Sequence, residues 1–407
     1  MDKINVFSEI GKLNSIILHR PGEELTNIVP SLMDELLFDE VPYLKNAQIE
    51  HDRFADILRD NGVEVHYIEK LAKESIVSDE IRQELIETFI DEASIRGLEE
   101  IKLVREYLES IKDNQKLIDK MIAGIRKEEI GLKSNSILSR KDSVREFYST
   151  LPMPNLYFTR DTFALVGSGV CMNTMWSNVR QRESIFGDMI FKNHPAFKDN
   201  KPKYYYNKNS NYTLEGGDVI VLSNKIVAVG ISQRTEGKAI VEFAKNLLSS
   251  DDGFEKVLCL ALPISRSTMH LDTVFTMIDK DLFTVYPGIR GSLEILELTL
   301  QDGEIKIKEL GKDIERVLSE NLGTDGVTFI ENGPRGMIDA EIEQWSDGYN
   351  TLAIGPREVV VYERNDAINE LLYKNNVKLH KLVEGELSRG RGGPRCMSMP
   401  LNRDNYF

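Results

Sequence analysis

The sequence predicts an α/β protein made of small repeated units, each a short sheet with a helix, arranged around a central axis and interrupted by a helical insertion. Three observations support this prediction. Short apolar strands alternate with single amphipathic helices, polar clusters precede three strands at a nearly constant interval, and one long region lacks proline. The first two patterns indicate the repeated units, and the third indicates the insertion.

The helical insertion is predicted from the stretch between Pro42 and Pro152, which contains no proline. Apolar residues there follow helical spacing, as at Ile81, Leu85 and Phe89. The glycines that can separate its helices are Gly97, Gly124 and Gly131. The predicted division is a helical insertion at 73–148 and an α/β part at 1–72 and 149–407.

Outside the insertion, short runs of β-branched and apolar residues bounded by turn residues predict strands. The predicted strands are residues 15–19, 163–166, 219–222, 226–229, 274–278, 282–285 and 359–362. Helical patterns follow some of them, at 237–248 and 314–321. This alternation is typical of an α/β fold.

Polar clusters begin three of the strand units: FTRD at 158–161, LEGGD at 214–218 and MHLD at 269–272. Glu215 follows Asp161 by 54 residues, and His270 follows Glu215 by 55. A repeat of this length would bring the leading polar residues of each unit to the same central place. Spacing alone leaves open that the three acidic strand starts coincide by chance.

The composition excludes several classes of function. The 407 residues carry a formal net charge of −15 without clustered Lys and Arg, which argues against a broad nucleic-acid surface. No apolar run reaches the length of a membrane span, and the first residues lack the apolar core of a secretory signal. We therefore expect a soluble, cytoplasmic protein that binds neither nucleic acid nor membrane.

The three cysteines differ in their sequence surroundings. Cys171 and Cys259 lie in apolar strands and are assigned to packing. Cys396 lies in the glycine-rich segment GRGGPRCMSMPL, where we expect an exposed loop and where the adjacent Arg395 favours a thiolate. It is either a nucleophile or a plain cysteine of the tail. No C-x-x-C or H-E-x-x-H spacing indicates a metal, so no metal or cofactor is expected.

A histidine and four carboxylates could accompany this thiol. His270 and Asp272 alternate onto one face at the entry to a strand, although a lone histidine is more often structural. The carboxylates at strand starts are Asp161, Glu215, Asp218 and Asp272. If they converge, they raise the pKa of a nearby thiol unless the substrate brings a positive charge. A guanidinium has that charge and pairs with two carboxylates.

Six motifs in order resemble the bacterial arginine deiminase family. They are MPNLYFTRD (153–161), RQRES (180–184), LEGGD (214–218), SQRT (232–235), MHLDT (269–273) and RCMSMPL (395–401). With MDELLF at 33–38, the resemblance extends over essentially the whole chain. It implies the five-bladed α/β propeller of the guanidino-group-modifying (pentein) superfamily, hydrolysis of L-arginine without a cofactor, and a homo-oligomer, either a dimer or a tetramer.

The resemblance also implies roles for individual residues. Cys396 would be the nucleophile, His270 the general acid and base, and Glu215 the carboxylate that orients the histidine. Asp161 and Asp272 would hold the guanidinium. The residues that match the rest of the substrate site are Asn155, Phe158, Arg180 and Arg234 at the amino-acid end, with Gly390 and Arg391 at a mobile gate.

Four other functions remain to be distinguished. An agmatine deiminase is disfavoured because its substrate has no carboxylate for Arg180 and Arg234, and an amidinotransferase would use an amine in place of water. A binding protein without turnover would not need Cys396 and His270 together. A papain-like hydrolase is disfavoured because its cysteine precedes its histidine in the chain.

Overall fold

A computed structural model describes residues 3–132, 147–383 and 385–407. The strands are β1 Leu13–Leu18, β2 Glu64–Tyr67, β3 Ile125–Arg126, β4 Tyr148–Thr150, β5 Phe163–Val166, β6 Gly169–Met172, β7 Lys203–Tyr206, β8 Val219–Ser223, β9 Ile226–Ile231, β10 Lys256–Ala261, β11 Phe275–Asp279, β12 Leu282–Val285, β13 Glu294–Gln301, β14 Glu304–Gly311, β15 Thr328–Ile330, β16 Leu352–Gly355, β17 Glu358–Tyr362, β18 Lys378–Leu382 and β19 Met399–Arg403.

Single helices separate many of these strands. The α-helices are α1 Glu23–Thr26, α2 Met33–Leu36, α3 Leu44–Asp60, α4 Ile68–Ser75, α5 Asp79–Glu92, α6 Leu98–Ser110, α7 Asn114–Ala123, α8 Thr159–Thr162, α9 Ser184–Asn193, α10 Gly237–Leu248, α11 Ile314–Leu322, α12 Met337–Trp345 and α13 Asp366–Lys374. The predicted helices at 237–248 and 314–321 correspond to α10 and α11. The chain has a mixed α/β fold with several small sheets, as predicted.

One strand pattern occurs five times within the described residues. Two antiparallel strands are followed by a third strand that pairs in parallel with the second. The five units are β19-β1-β2, β5-β6-β7, β8-β9-β10, β11-β12-β15 and β16-β17-β18. A long antiparallel hairpin, β13-β14, extends the third unit at β10.

A helix lies between the second and third strand of each unit. A parallel neighbour requires such a crossover, because the chain must return to the starting edge of the sheet. In the unit β19-β1-β2, the first strand comes from the C-terminal end of the chain and pairs with a strand from the N-terminal end. The two ends of the described chain therefore meet in one sheet.

The region predicted as a helical insertion contains the whole of α5, α6 and α7. It also contains the end of α4, which begins at Ile68, before the predicted boundary. Ser78 and Asp113 cap α5 and α7 by accepting a backbone N–H with their side chains. After Gly124 the chain forms β3, which pairs with β4. Residues 133–146 of the predicted insertion lie outside the described residues. Of the helices described, none has both the length and the hydropathy needed to cross a membrane.

The apolar faces of the sheets form the core that holds these units. One large cluster joins the helices of residues 68–123 to the second and third units, and includes Cys171 and Cys259. Both thiols are buried in strands, as predicted for cysteines that pack as small hydrophobes. Cys396 belongs to a separate cluster, with the first and fifth units.

Candidate active site

The candidate site is built from the short segments that precede the first strand of each unit. Asp161 lies before β5, Glu215 before β8, His270 before β11, Asn350 before β16 and Cys396 before β19. Each unit therefore supplies at least one polar side chain from an equivalent position. The segments approach closely, because a Cβ added to Gly217 would lie 2.7 Å from the ring of His270.

Nine of the eleven predicted site residues line one cavity, which encloses about 540 Å³ including its open mouth. The nine are Asn155, Phe158, Asp161, Arg180, Arg234, His270, Gly390, Arg391 and Cys396. The other two, Glu215 and Asp272, lie directly behind His270 and Cys396 respectively.

His270 and Glu215 form a buried hydrogen-bonded pair. The Nε2 atom of His270 lies 2.8 Å from Oε2 of Glu215, and its Nδ1 lies 3.8 Å from Oδ1 of Asp161. Burial lowers the pKa of His270, but Asp161, Glu215 and Asp218 outweigh it and raise that pKa to about 9. The imidazole therefore carries a proton at neutral pH.

Glu215 is held as a carboxylate by the groups around it. Burial raises its pKa, but Arg234, His270 and Arg180 lower it to about 2. Its Oε1 accepts the backbone N–H of Trp176 at 2.9 Å, while Oε2 accepts from His270. Both oxygens are thus fixed, which fixes the histidine ring.

Asp161 pairs with an arginine in this structure. Its Oδ2 accepts a hydrogen bond from Nη1 of Arg180 at 2.8 Å, and Nε of Arg180 donates to Glu183. The Oδ1 atom of Asp161 is buried and has no hydrogen-bond partner among the described residues. Oδ2 of Asp161 is therefore engaged by Arg180, and Oδ1 is available to a hydrogen-bond donor in the cavity.

Asp272 also has a guanidinium partner. Arg395 donates through Nη1 to Oδ2 of Asp272 at 2.8 Å and through Nε to Glu9 at 2.7 Å. Both Arg395 and Asp272 are fully buried. Burial raises the pKa of Glu9, yet Arg395 and Arg160 bring it down to about 2, so Glu9 is ionised.

Cys396 differs from the expected exposed thiol, because only 4% of the residue is accessible. Gly392 of the loop that carries it approaches Phe158 and Gly393 approaches Asn350, so its glycines give close approach rather than exposure. Burial, Asp272, Asp161 and Asp347 raise the pKa of the Cys396 thiol well above its usual value. Arg395 lowers this pKa, as expected of a cation that favours the thiolate, but burial and the three aspartates outweigh it.

Asp218, a further candidate carboxylate, lies behind the histidine segment. It accepts the backbone N–H of Leu271 at 2.8 Å and the hydroxyl of Ser232 at 2.7 Å. Burial raises its pKa to about 7. It therefore supports the turn that carries His270.

The residues predicted for the amino-acid end lie on the cavity wall. The guanidinium of Arg234 lies 4.6 Å from the centre of the Trp176 ring, and its buried Nε has no hydrogen-bond partner among the residues described. Asn155 anchors its side chain to the Leu36 carbonyl, and its own carbonyl accepts from Nη2 of Arg180 at 3.3 Å. Phe158 lies against the glycines of the final loop.

The predicted gate residues close one side of the cavity. A Cβ on Gly390 would collide with Tyr157 and Phe158, so only glycine fits there. Arg391 has a positive φ of 60°, and its guanidinium lies 3.5 Å from the centre of the Trp345 ring. The side chain of Arg391 therefore separates the cavity from the outer surface.

Three groups in the site are close enough to hold a metal ion. Ligand atoms of Asp161, Glu215 and His270 lie within 4.8 Å of one another. The Nη1 atom of Arg180 lies 2.8 Å from Asp161 and 4.0 Å from Glu215, so positive charge is already present. The geometry favours a hydrogen-bonded cluster over a cation site.

Several residues of the site were not predicted. Asn350 contacts the nucleophile candidate, Arg266 and Met269 line the cavity, and Glu9 anchors Arg395. The signal for Asn350 was its place two residues before a strand. It did not fit the repeat, because Asn350 follows His270 by 80 residues, whereas the earlier intervals are 54 and 55.

Comparisons with known proteins agree with this geometry. A family model described as arginine deiminase matches residues 34–403. Arginine deiminase of Streptococcus gordonii is 47% identical over 98% of each chain, and that of Clostridium perfringens is 48% identical over 99% of this chain and 98% of the other. A solved amidinotransferase of saxitoxin biosynthesis from Microseira wollei aligns with a TM-score of 0.56 at 12% identity, covering 99% of this chain and 98% of the other.

Proposed function

Since the chain belongs to the arginine deiminase family, we propose that it hydrolyses L-arginine to L-citrulline and ammonia. The observation that carries the proposal is the convergence of Cys396, the His270–Glu215 pair and two aspartates on one buried cavity. A thiol and a protonated histidine facing a guanidinium site suit nucleophilic substitution at an amidine carbon. The enzyme is then a hydrolase of carbon–nitrogen bonds in linear amidines that acts in arginine catabolism.

The substrate's guanidinium is placed between Asp161 and Asp272. Support comes from Oδ1 of Asp161, a buried acceptor without a partner among the residues described, since a guanidinium N–H would satisfy it. The substrate carboxylate is placed at Arg234 and Arg180, where Nε of Arg234 is an unused donor. Asn155, Phe158, Gly390 and Arg391 enclose the remainder of the molecule.

The proposed reaction has two halves. The arriving guanidinium offsets the acids around Cys396, so the thiol ionises and its thiolate attacks the guanidinium carbon. His270, as imidazolium, protonates the departing nitrogen; ammonia leaves and a covalent thiouronium remains on the cysteine. Neutral His270 then takes a proton from water, and the resulting hydroxide attacks the same carbon. The carbon–sulfur bond breaks, and the proton of the new hydroxyl group returns to the cysteine sulfur as citrulline forms. Glu215 orients the histidine throughout, and no cofactor or metal takes part.

The five strand units are proposed to form the five-bladed propeller of the pentein superfamily. Their identical pairing pattern, and the sheet shared by the two chain ends, support a closed ring of blades. Residues 73–148 are proposed as the helical insertion, with 1–72 and 149–407 as the catalytic propeller. A cytoplasmic homo-oligomer, a dimer or a tetramer, completes the proposal.

The function is tested by incubating the purified protein with L-arginine and, separately, with agmatine, which lacks the carboxylate. We expect citrulline and equimolar ammonia from arginine and no product from agmatine. Cys396→Ser protein prepared in parallel excludes a contaminating activity. Comparable turnover of agmatine, or no turnover of either compound, would contradict the proposal.

A further inference from the structure

We infer that Asn350 is a further catalytic residue, whose side-chain amide donates a hydrogen bond to Sγ of Cys396 and stabilises the thiolate. This inference rests on the proposed function, because it assumes that Cys396 is the nucleophile. Asn350 lies in the segment before β16, and its Nδ2 is 3.1 Å from Sγ of Cys396. It thus touches the reacting atom.

The orientation of the amide follows from its partners. Oδ1 accepts the backbone N–H groups of Arg395 and Cys396, each at 3.1 Å. Since a backbone N–H can only donate, the atom facing these two groups must be the oxygen. Nδ2 then faces two acceptors, the carbonyl of Asp272 at 2.9 Å and the sulfur. If the amide were flipped, its NH₂ group would face the backbone N–H groups of Arg395 and Cys396, and no hydrogen bond could form between these donors.

The thiol needs such a donor because its other neighbours are mostly acids. Asp272 lies 3.6 Å from Sγ, Asp161 and Asp347 add negative charge, and Arg395 is engaged by Glu9 and Asp272. His270, Arg180, Arg234, Arg266 and Arg391 line the same cavity. A neutral N–H donor at 3.1 Å favours the thiolate over the thiol whether or not substrate is present.

The position of Asn350 in the fold supports the same role. Every other unit contributes a residue of the proposed chemistry from the segment before its first strand: Asp161, Glu215, His270 and Cys396. Asn350 is the contribution of the remaining unit, β16-β17-β18. It is 1% exposed and joins the nucleophile's backbone to the backbone of Asp272.

Two substitutions separate thiolate stabilisation from simple anchoring. Asn350→Asp keeps an acceptor for the two backbone N–H groups and replaces the donor near sulfur with a negatively charged oxygen. Asn350→Ala removes both functions without adding charge. If the amide stabilises the thiolate, the apparent pKa of Cys396 rises from wild type to Asn350→Ala and further to Asn350→Asp. If Asn350 only anchors the loop, Asn350→Ala is the more disruptive change.

The measurement is the rate of Cys396 alkylation by iodoacetamide against pH in the free protein, read by mass spectrometry of the Cys396 peptide. We expect the alkylation profile of both variants to move to higher pH, and kcat to fall about tenfold to a hundredfold with a smaller change in KM. Asn369→Ala is the matched control, because Asn369 is a buried asparagine of the same unit that donates to the Tyr362 carbonyl.

The inference is overturned if a folded variant, checked by its melting temperature, alkylates with the wild-type pH profile. It is also overturned if Asn350→Ala shifts the profile more than Asn350→Asp, since that order indicates anchoring. Should Asn350→Asp not fold, Asn350→Ser preserves the test, because it removes the amide N–H that lies beside sulfur and adds no charge. Absence of arginine turnover in the wild type would refute the proposed function. The alkylation profiles would still test whether Asn350 stabilises the Cys396 thiolate, because they are measured without substrate.

Discussion

The carboxylates of the site lie beside arginines or a histidine, and these opposite charges control which groups carry a proton. Glu215 lies beside two arginines and a histidine, so it stays ionised, and in turn it keeps His270 protonated. Asp161 and Asp272 are each half neutralised by Arg180 and Arg395. The cavity is therefore less acidic than its carboxylates alone suggest, and one more cation can be bound without leaving a large excess of charge.

The charge state of His270 gives a direct prediction. NMR titration of its imidazole in the free protein should report a pKa near 9. Glu215→Gln removes a negative charge that favours the imidazolium, so the pKa should fall by about one unit or more. The catalytic rate constant at saturating arginine should then be lost at lower pH than in the wild type, because less imidazolium is present.

Glu297→Gln is the control for this titration. Glu297 lies in β13, outside the candidate site, and pairs with Lys256 instead of with His270. It should leave the histidine titration unchanged. A wild-type pKa near the unperturbed value of 6.5, or an identical titration in Glu215→Gln, would show that the carboxylates do not control His270.

Motif reading and the family resemblance could predict most single residues of the site and the His270–Glu215 pair, but not the pairs between arginines and carboxylates. The sequence shows that Arg180 and Asp161 are polar residues in motifs, whereas their 2.8 Å contact depends on how two units pack. Arg395 was noted only as a neighbour of Cys396, and its pairing with Glu9 joins residues 386 positions apart. Such contacts leave no local pattern in one sequence.

At the scale of elements, the sequence predicted both of the first two strands in two units and none of the third strands. Predicted first strands such as Val219–Ser223 are fully buried and mostly apolar. The third strands Glu64–Tyr67 and Lys378–Leu382 are partly exposed edge strands with few apolar residues. Their sequences carry little strand signal, because only one neighbour and one face hold them in place.

The final loop is the element whose glycines are required by close contacts. A Cβ on Gly393 would lie 2.7 Å from the carbonyl oxygen and from Oδ1 of Asn350. Gly393→Ala should therefore displace the loop or Asn350, at a cost of about 1–3 kcal/mol, and should lower kcat/KM. Gly291→Ala is the control, since nothing lies within 4 Å of the added methyl group.

Thermal unfolding and steady-state kinetics on the two glycine variants check this prediction. We expect a lower melting temperature and reduced kcat/KM for Gly393→Ala, and wild-type values for Gly291→Ala. Full activity and stability in Gly393→Ala would contradict the prediction, because it would show that a methyl group fits at this position without displacing the loop or Asn350.

At the scale of the whole molecule, the order of the chain explains why the nucleophile comes last. The units beginning with β5, β8, β11 and β16 supply the acids, the histidine and Asn350, and the C-terminal segment then brings Cys396 against them. The pairing of β19 with β1 fixes this segment to the N-terminal part of the chain. The polar strand starts left convergence and chance as alternatives. The resemblance implied five blades, and the strand pairing shows five units within the described residues.

The central claim is that Cys396 forms a covalent intermediate with the guanidinium carbon. The most direct measurement is mass spectrometry of the protein quenched during turnover of arginine labelled at that carbon, in wild type and in the three cysteine variants. We predict label on the Cys396 peptide, no label and no turnover in Cys396→Ser, and retained turnover in Cys171→Ala and Cys259→Ala. Citrulline production by Cys396→Ser, or label on a different residue, would contradict the account.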